Sequence, residues 1–211
     1  MKLFFFSIVL IFVSLSVIAN TNQTSITLAP LDIWQEQKFV GETSYTLIED
    51  EGVTAIRAKS DGTASMLLQE TSIDLTKTPF INWQWKIDGT INKENEQAKA
   101  GDDYPARIYI AVPNSFLSLY PRALNYVWAS ESPQNTHWKN PYTDDVIMLA
   151  AQSGEQNVGQ WVSEKRNLSE DLQKVFGKDF DKIKGIAIMT DTDNLNASAT
   201  AFYKNIYFSE E

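Results

Sequence analysis

The amino-acid sequence predicts an all-β protein, an antiparallel β-sandwich of the jelly-roll type that carries one short helix. Short runs rich in Val, Ile, Thr and Tyr recur along the chain at near-regular spacing. Turn-forming Gly, Asp and Asn residues separate these runs. Most consecutive runs have no helical segment between them, whereas a parallel α/β sheet needs a helix to connect its strands. We therefore expect two facing sheets with an apolar core between them.

The first half of the chain is predicted to form three strands at residues 43–48, 53–60 and 64–70, joined by hairpin-like turns. The segment before them, residues 24–39, has a mixed pattern that predicts only a lead-in. A fourth strand, PFINWQWKID at residues 79–88, alternates apolar and polar residues, which is typical of a half-buried strand.

The second half is predicted to add six strands and the helix. Asn167 or Ser169 can cap the helix, and Gly177 ends it. The strands are predicted at residues 107–112, 123–130, 146–153, 159–166, 185–190 and 199–208. The predicted core between the two sheets comprises Trp83, Trp85, Ile108, Ile110, Ile186, Ile188, Phe202 and Phe208.

Residues 1–19 have the pattern of a secretory signal peptide, with one lysine, an apolar run and small residues at Val17 and Ala19. An uncleaved membrane anchor is the alternative, although the apolar run is short for spanning a bilayer. Residues 20–211 then form a single domain, long enough to bury roughly 70% of the surface of its unfolded chain. We expect a periplasmic or secreted protein that is not inserted in the membrane after cleavage.

Composition limits the classes of partner. The formal net charge of −9 argues against nucleic acid and anionic membranes, which reward clustered Lys and Arg. The chain contains no cysteine, so export brings no disulfides. A single histidine without cysteine gives almost no support to a zinc site or a nucleophilic triad. Neutral sugars and cations remain open as ligands.

The stretch GDDYPARIYIAV at residues 101–112 is the main candidate site. Its strand places apolar residues on one face, whereas Arg107 and Tyr109 share the other face. Asp102 and Asp103 are adjacent, so in an extended chain they point in opposite directions and only one is expected to reach a ligand. A structural ion pair or loop cap is the alternative role for them.

Aromatic residues in and beside the long connection at 131–145 extend this candidate site. Trp128, Trp138 and Tyr142 could stack on a sugar ring, although packing of the loop explains them equally well. The predicted ligand-binding residues are Asp102, Asp103, Arg107, Tyr109, Trp128 and Tyr142.

A second acidic segment lies between the last two predicted strands. Asp191, Asp193 and Asn194 are the predicted metal ligands, and Asn196 extends the pattern of hard oxygen donors that calcium accepts. The segment is not an EF-hand loop, because the spacing fails and no glutamate closes it. Turn-forming Asp and Asn residues would look the same, so calcium is an open expectation.

Six motifs lie along the chain, at residues 83–85, 101–109, 126–128, 140–142, 161–166 and 189–194. Together they resemble a family of secreted bacterial proteins described as domain of unknown function 3047. The resemblance covers nearly the whole chain after the leader and implies a carbohydrate-binding or galactose-binding type of jelly roll by fold analogy, but no activity. Positions 195–196 and 204–205 depart from the family pattern.

Three functions follow as hypotheses. The first is an exported, non-catalytic β-sandwich that binds a carbohydrate or another polyhydroxylated ligand through Arg107, Tyr109 and Trp128. The second is a glycan-active enzyme with Asp103 and either Asp191 or Asp193 as its carboxylate pair, which requires the two groups to lie within about 5–10 Å of each other in a cleft. The third is a structural envelope protein in which these Asp and Arg residues hold loops together.

Overall fold

Two β-sheets packed face to face and one short helix make up the computed structural model, which describes residues 22–91, 95–114 and 121–211. The predicted signal peptide lies outside the described residues. The strands are β1 (Gln23–Ser25), β2 (Gln35–Val40), β3 (Ser44–Asp50), β4 (Val53–Asp61), β5 (Ala64–Glu70), β6 (Phe80–Ile87), β7 (Arg107–Val112), β8 (Arg122–Ala129), β9 (His137–Lys139), β10 (Val146–Ser153), β11 (Val162–Asn167), β12 (Gly185–Asp191) and β13 (Ser198–Ser209), and the helix is α1 (Leu168–Phe176).

The two sheets have different strand orders. The six-stranded sheet runs β11-β6-β13-β4-β3, with β1 pairing onto β13, and the seven-stranded sheet runs β2-β5-β12-β7-β8-β10-β9. Neighbours in space are mostly distant in sequence, as in a jelly roll, and the sandwich with one helix confirms the predicted fold class.

An aromatic cluster joins the two sheets at the centre of the core. The Trp83 and Trp85 rings meet edge to face with their centroids 5.3 Å apart. The Trp83 ring packs 5.1 Å from Tyr126 and the Trp85 ring 5.7 Å from Trp128, both on the opposite sheet. These four side chains are at most 1% exposed. The two-residue period of β6 therefore places its tryptophans in the core, as predicted.

Phe202 is the one member of the predicted core that lies outside it. Ala201 and Tyr203 face the core instead, whereas Phe202 is half-buried on the outer face of the six-stranded sheet. The pairing of β13 with β6 shifts register between Lys204 and Tyr207, and Asn205 adopts a positive φ of 51° there. This β-bulge changes which parity faces inward, so counting back from the buried Phe208 gives the wrong face for Phe202.

The fold also contains strands that the sequence pattern did not predict. β1 and β2 lie at sheet edges, and all of their residues are exposed, so neither shows an apolar alternation. β9 lies within the long connection at residues 131–145 and pairs antiparallel with β10. The connection returns the chain to the end of the sheet at which β8 begins, so β10 runs parallel to β8 and pairs with it. This parallel pair departs from the predicted antiparallel arrangement.

The helix α1 begins and ends as predicted. The Asn167 side chain accepts a hydrogen bond from the backbone N–H of Glu170, and Gly177 takes the left-handed conformation at the end. Arg166 binds Asp171 in the first turn through two hydrogen bonds of 2.8 and 2.9 Å. None of the helices among the described residues has the length and apolar character needed to span a membrane.

Candidate functional site

Arg107 lies at the centre of the predicted site, on the face of β7 that points away from the core. Its neighbour Ile108 is buried between the sheets, so Arg107 projects to the outer side of the seven-stranded sheet. The Arg107 Nε donates a 2.6 Å hydrogen bond to Asp191 Oδ1, and a terminal nitrogen donates both to Asp191 Oδ2 and to the carbonyl oxygen of Asp102. This is a bidentate arginine–carboxylate pair.

Loops, rather than the second sheet, cover Arg107. The Tyr104 ring packs 4.5 Å from the centre of the guanidinium group, and the Tyr109 hydroxyl accepts a hydrogen bond of 3.2 Å from it. Arg107 is only 2% exposed as a result. Arg107, predicted as a ligand-binding residue, is thus shielded from solvent by a chain segment that precedes it, and its role in binding stays a prediction.

Asp103 holds the second acidic loop. Its carboxylate accepts hydrogen bonds from the backbone N–H of Asn194 at 3.1 Å and of Leu195 at 2.8 Å. It also accepts one from the side-chain amide of Asn194 at 3.1 Å, and Asp103 is fully buried. The loop at 101–106 and the loop at 191–196 are thus tied together, as the structural alternative for this residue predicted.

Asp102, which is adjacent to Asp103 in the sequence, binds a different segment of the chain. Its Oδ2 accepts a 3.1 Å hydrogen bond from the side-chain amide of Asn140, and its Oδ1 lies 3.7 Å from Arg107. Asp102 is 5% exposed, so the cluster draws in the connection that contains Asn140. Three segments far apart in the sequence therefore meet at Arg107.

The charges in the cluster do not balance. Burial raises the pKa of Asp191 to about 7, and Asp102 and Asp103 act in the same direction, whereas Arg107 opposes them. Burial likewise raises the pKa of Tyr109 to about 12, so its phenol stays protonated. Four nearby carboxyl groups face one guanidinium group, which leaves an excess of negative potential.

The predicted metal ligands are only partly brought together. Carboxyl oxygens of Asp103, Asp191 and Asp193 lie within 4.8 Å of one another, whereas Asn194 turns its amide nitrogen to Asp103. This set fits a hard cation in charge and ligand type. However, Asp191 Oδ1 already accepts hydrogen bonds from Arg107 and from the backbone N–H of Tyr104. A cation would therefore have to share this oxygen with the guanidinium group.

The same distances bear on the enzyme hypothesis. Asp103 lies within reach of both Asp191 and Asp193, as a carboxylate pair for glycoside hydrolysis would require. However, Asp103 is fully buried and Asp191 is 2% exposed, and both carboxylates bind protein donors. The geometry lacks the open cleft that this hypothesis needs at these residues.

The accessible part of the cluster is a rim of five side chains. We define the rim as Tyr109, Asn140, Tyr142, Asp193 and Asn194, which are half-buried except for Tyr142, which is 56% exposed. The Tyr142 hydroxyl donates a 2.7 Å hydrogen bond to Asn194 Oδ1 and thereby links two loops. Aromatic surface and amide groups thus lie together at one place on the outer face.

Trp128, by contrast, is predicted as a ligand-binding residue but lies in the core of the structure. It is fully buried on the core face of β8, where its indole nitrogen donates a 3.1 Å hydrogen bond to the carbonyl oxygen of Gly154. Trp128 has the same parity as Tyr126, which also faces the core. Trp138 is half-buried, and its ring packs 6.4 Å from that of Tyr104.

Sequence reasoning missed Glu96 as part of this region. The polar segment at 92–100 predicts an exposed helix or loop, yet Glu96 is only 3% exposed. Its carboxylate accepts hydrogen bonds from the backbone N–H groups of Ser130, Glu131 and Ser132. No local signal distinguishes this glutamate from its solvated neighbours, because its partners lie more than thirty residues away.

Comparison with solved structures shows which known folds this chain is similar to. The family 30 carbohydrate-binding module of the cellulosomal cellulase Cel9D-Cel44B of Clostridium thermocellum is 12% identical, with a TM-score of 0.54 over 90% of this chain and 98% of that one. The xyloglucanase domain of NopAA from Sinorhizobium fredii is 9% identical, with a TM-score of 0.46 over 92% and 100% of the two chains. At 12% identity the likeness to the carbohydrate-binding module concerns the fold alone.

Sequence comparison identifies the family. Curated proteins include no significant match to this chain. Residues 32–207 match the family model described as Protein of unknown function (DUF3047), which confirms the resemblance carried by the motifs. The chain therefore belongs to the DUF3047 family.

Proposed function

We propose that this protein is an exported, non-catalytic β-sandwich that binds carbohydrate at the rim. The observation that carries the proposal is the rim itself, where Tyr109 and Tyr142 lie beside Asn140 and Asn194 on the outer face of one sheet. Tyrosine rings offer flat apolar surface for a pyranose ring, and amide side chains hydrogen-bond its hydroxyl groups. The similarity in fold to a carbohydrate-binding module supports the proposal by analogy.

In this proposal, the buried cluster positions the rim instead of contacting the ligand. Arg107 donates to the Tyr109 hydroxyl, and Asp102 accepts from the Asn140 amide. Asp103 binds the Asn194 amide, which in turn fixes the orientation of its oxygen toward Tyr142. Side chains held in this way lose little conformational entropy when a ligand binds, which favours affinity.

Calcium is a second part of the proposal. Asp103 and Asp193 would hold the ion, with Asp191 shared between the ion and Arg107. A divalent cation would offset the excess of carboxylates in the cluster, and its role would be to fix the loops of the rim. We expect no direct contact between calcium and the sugar.

A pair of matched substitutions tests the rim. Tyr142→Ala removes an aromatic ring at the rim, and Phe39→Ala removes an equally exposed ring on β2, at the opposite edge of the same sheet. Against a neutral glycan array, followed by titration calorimetry on the strongest hit, we expect Tyr142→Ala to weaken binding at least tenfold and Phe39→Ala to leave it unchanged. Absence of saturable glycan binding by the unmodified protein, or equal affinities of the two variants, would refute the proposal.

A further inference from the structure

The outer face of the six-stranded sheet has a charge opposite to that of the protein as a whole. Five basic side chains lie on it, of which Lys204 is buried, and two acidic side chains share this face of the described strands. The basic residues are Arg57, Lys59, Lys86, Lys165 and Lys204, and the acidic ones are Asp50 and Asp61. The chain carries a net charge of −9, so this concentration of positive charge is local.

Most of these cations form no ion pair, although Lys86 lies near Asp50 and interacts with it electrostatically. Lys204 forms an ion pair with Asp50. Across the described ranges, Arg57, Lys59, Lys86 and Lys165 make no ion pair with a carboxylate. Unpaired cations on one sheet face favour an anionic partner, and they remain available to it because they need not first leave another carboxylate.

Aromatic rings hold several of the lysines in place. The Lys86 ammonium lies 4.4 Å from the Phe202 ring centroid and 5.2 Å from that of Trp161, and the Lys204 ammonium lies 4.0 Å from Trp161. The two rings themselves meet edge to face at 6.3 Å. Cation–π contacts of this kind fix otherwise flexible side chains on the sheet surface.

A groove of about 620 Å³, lined by both polar and apolar side chains with Glu164 and Lys165 among them, crosses the same sheet next to this cluster. Its floor includes a row of directly paired residues on four adjacent strands, Lys165 on β11, Asn82 on β6, Tyr207 on β13 and Ser25 on β1. Neighbouring strands are about 4.8 Å apart, so the row presents polar groups at short, regular intervals across the sheet. Gln84 and Asn205 add amide groups beside the row, linked by a 2.7 Å hydrogen bond.

We propose that this face binds an acidic polysaccharide, which lies in the groove at Lys165 and extends over the neighbouring basic side chains, so that its carboxylate or sulfate groups pair with them. Amide and hydroxyl groups of the groove suit sugar hydroxyls, whereas the aromatic rings are half-buried beneath lysines and offer little free surface to stacked bases or lipid chains. This site does not use the rim and stands independently of the proposed function.

Exposed charges make the test possible without disturbing the fold. The double variant Arg57→Gln with Lys165→Gln removes two exposed cations from the basic face, and the matched control Lys178→Gln with Lys182→Gln removes two exposed cations near α1. Binding of polygalacturonate, dextran sulfate and neutral dextran is measured by titration calorimetry at two salt concentrations. The two charged polymers distinguish carboxylate from sulfate as the recognised group.

We expect at least one charged polymer to bind, neutral dextran to bind at least tenfold more weakly, and added salt to weaken the charged complex. The Arg57/Lys165 variant should lose at least tenfold in affinity and the control less than twofold. Equal losses in both double variants, or no binding of either polyanion, would overturn the proposal, as would tighter binding of single-stranded DNA or anionic vesicles through the same two residues. Tyr142→Ala should leave polyanion binding intact, so failure at the rim and failure at this face give different results.

Discussion

At the scale of single residues, Arg107 links the two acidic loops of the candidate site. Its guanidinium group binds Asp191 with two nitrogens and also binds the backbone of the loop that covers it. Removing one partner of a buried ion pair leaves the other charge without compensation, which costs about 3–5 kcal/mol. Arg107 therefore belongs to the interior of the molecule even though it lies outside the core between the sheets.

Arg107→Met is the first prediction. We expect the free energy of unfolding to fall by about 3–5 kcal/mol, because Asp191 is left buried and unpaired while the volume of the side chain is kept. Urea denaturation followed by circular dichroism measures this fall. Arg57→Met, at an exposed position on β4, serves as the control and should change stability by less than about 0.5 kcal/mol. A stable Arg107→Met protein that has lost glycan binding would instead restore Arg107 as a direct ligand residue.

Glu164 gives a prediction about pH. Burial raises its pKa to about 7, while Trp85 and Arg166 act in the opposite direction. Because its pKa is higher in the folded protein than in the unfolded chain, folding favours the protonated carboxyl group. This contribution to stability is fully present below about pH 4.5 and is lost as the pH rises through 7.

Replacing Glu164 with Gln should remove that loss. Between pH 5 and pH 8 we expect the stability of the unmodified protein to fall by about 2–3 kcal/mol more than that of Glu164→Gln. Urea denaturation at a series of pH values measures both slopes. Parallel slopes for the two proteins would show that Glu164 titrates near its ordinary value.

The sequence predicted which residues of the site meet, but not their accessibility. Strand parity places Arg107 and Tyr109 on the non-core face, and the structure agrees. Parity cannot show what covers that face, because the cover comes from Tyr104 and from a loop more than eighty residues away. The same limit explains why Glu96, with its distant backbone partners, read as a solvated residue.

At the scale of structural elements, the two acidic loops behave as one unit. Asp103 in the first loop accepts three hydrogen bonds from the second, and Asp191 at the end of β12 returns the contact to Arg107 at the start of β7. The antiparallel pairing of β7 with β12 brings these ends together. The excess negative charge belongs to both loops together, so calcium binding is expected to stabilise the two loops as one unit.

Calcium should therefore raise the melting temperature of the unmodified protein. Asp193 is the part-exposed carboxylate of the cluster, so Asp193→Asn should abolish most of that rise with little effect in the absence of calcium. A thermal shift assay with calcium, with magnesium and with a chelator provides the comparison. Identical melting temperatures under all three conditions would mean that the guanidinium group alone compensates these carboxylates.

Elements also show where sequence patterns stop being informative. The strongly alternating β6 is predicted almost to the residue, since a half-buried strand must alternate. The exposed edge strand β2 has no such constraint, and only its pairing with β5 defines it. In β13 the bulge near Asn205 reverses the alternation halfway along, which no count of apolar residues reveals.

At the scale of the whole molecule, the sandwich separates two chemically different outer faces. The seven-stranded sheet carries the acidic loops and the rim, whereas the six-stranded sheet carries the basic side chains and the groove beside them. The aromatic cluster of the core connects the two sheets through contacts of 5.1 and 5.7 Å between rings. The rigidity of both faces therefore depends on the same central packing.

Substitutions of Trp128 test whether the packing between the two sheets depends on this ring, and whether the ring belongs to the core instead of a binding surface. Trp128→Ala should lower the free energy of unfolding by about 3–5 kcal/mol, because it opens a cavity beside Trp85 and leaves the carbonyl oxygen of Gly154 without its donor. Trp128→Phe, which keeps an aromatic ring there, should lose less, and chemical denaturation of both variants provides the comparison. If Trp128→Ala instead kept full stability and lost only glycan binding, the ring would have to be reachable by ligand, and the packing of the two sheets around it would be wrong.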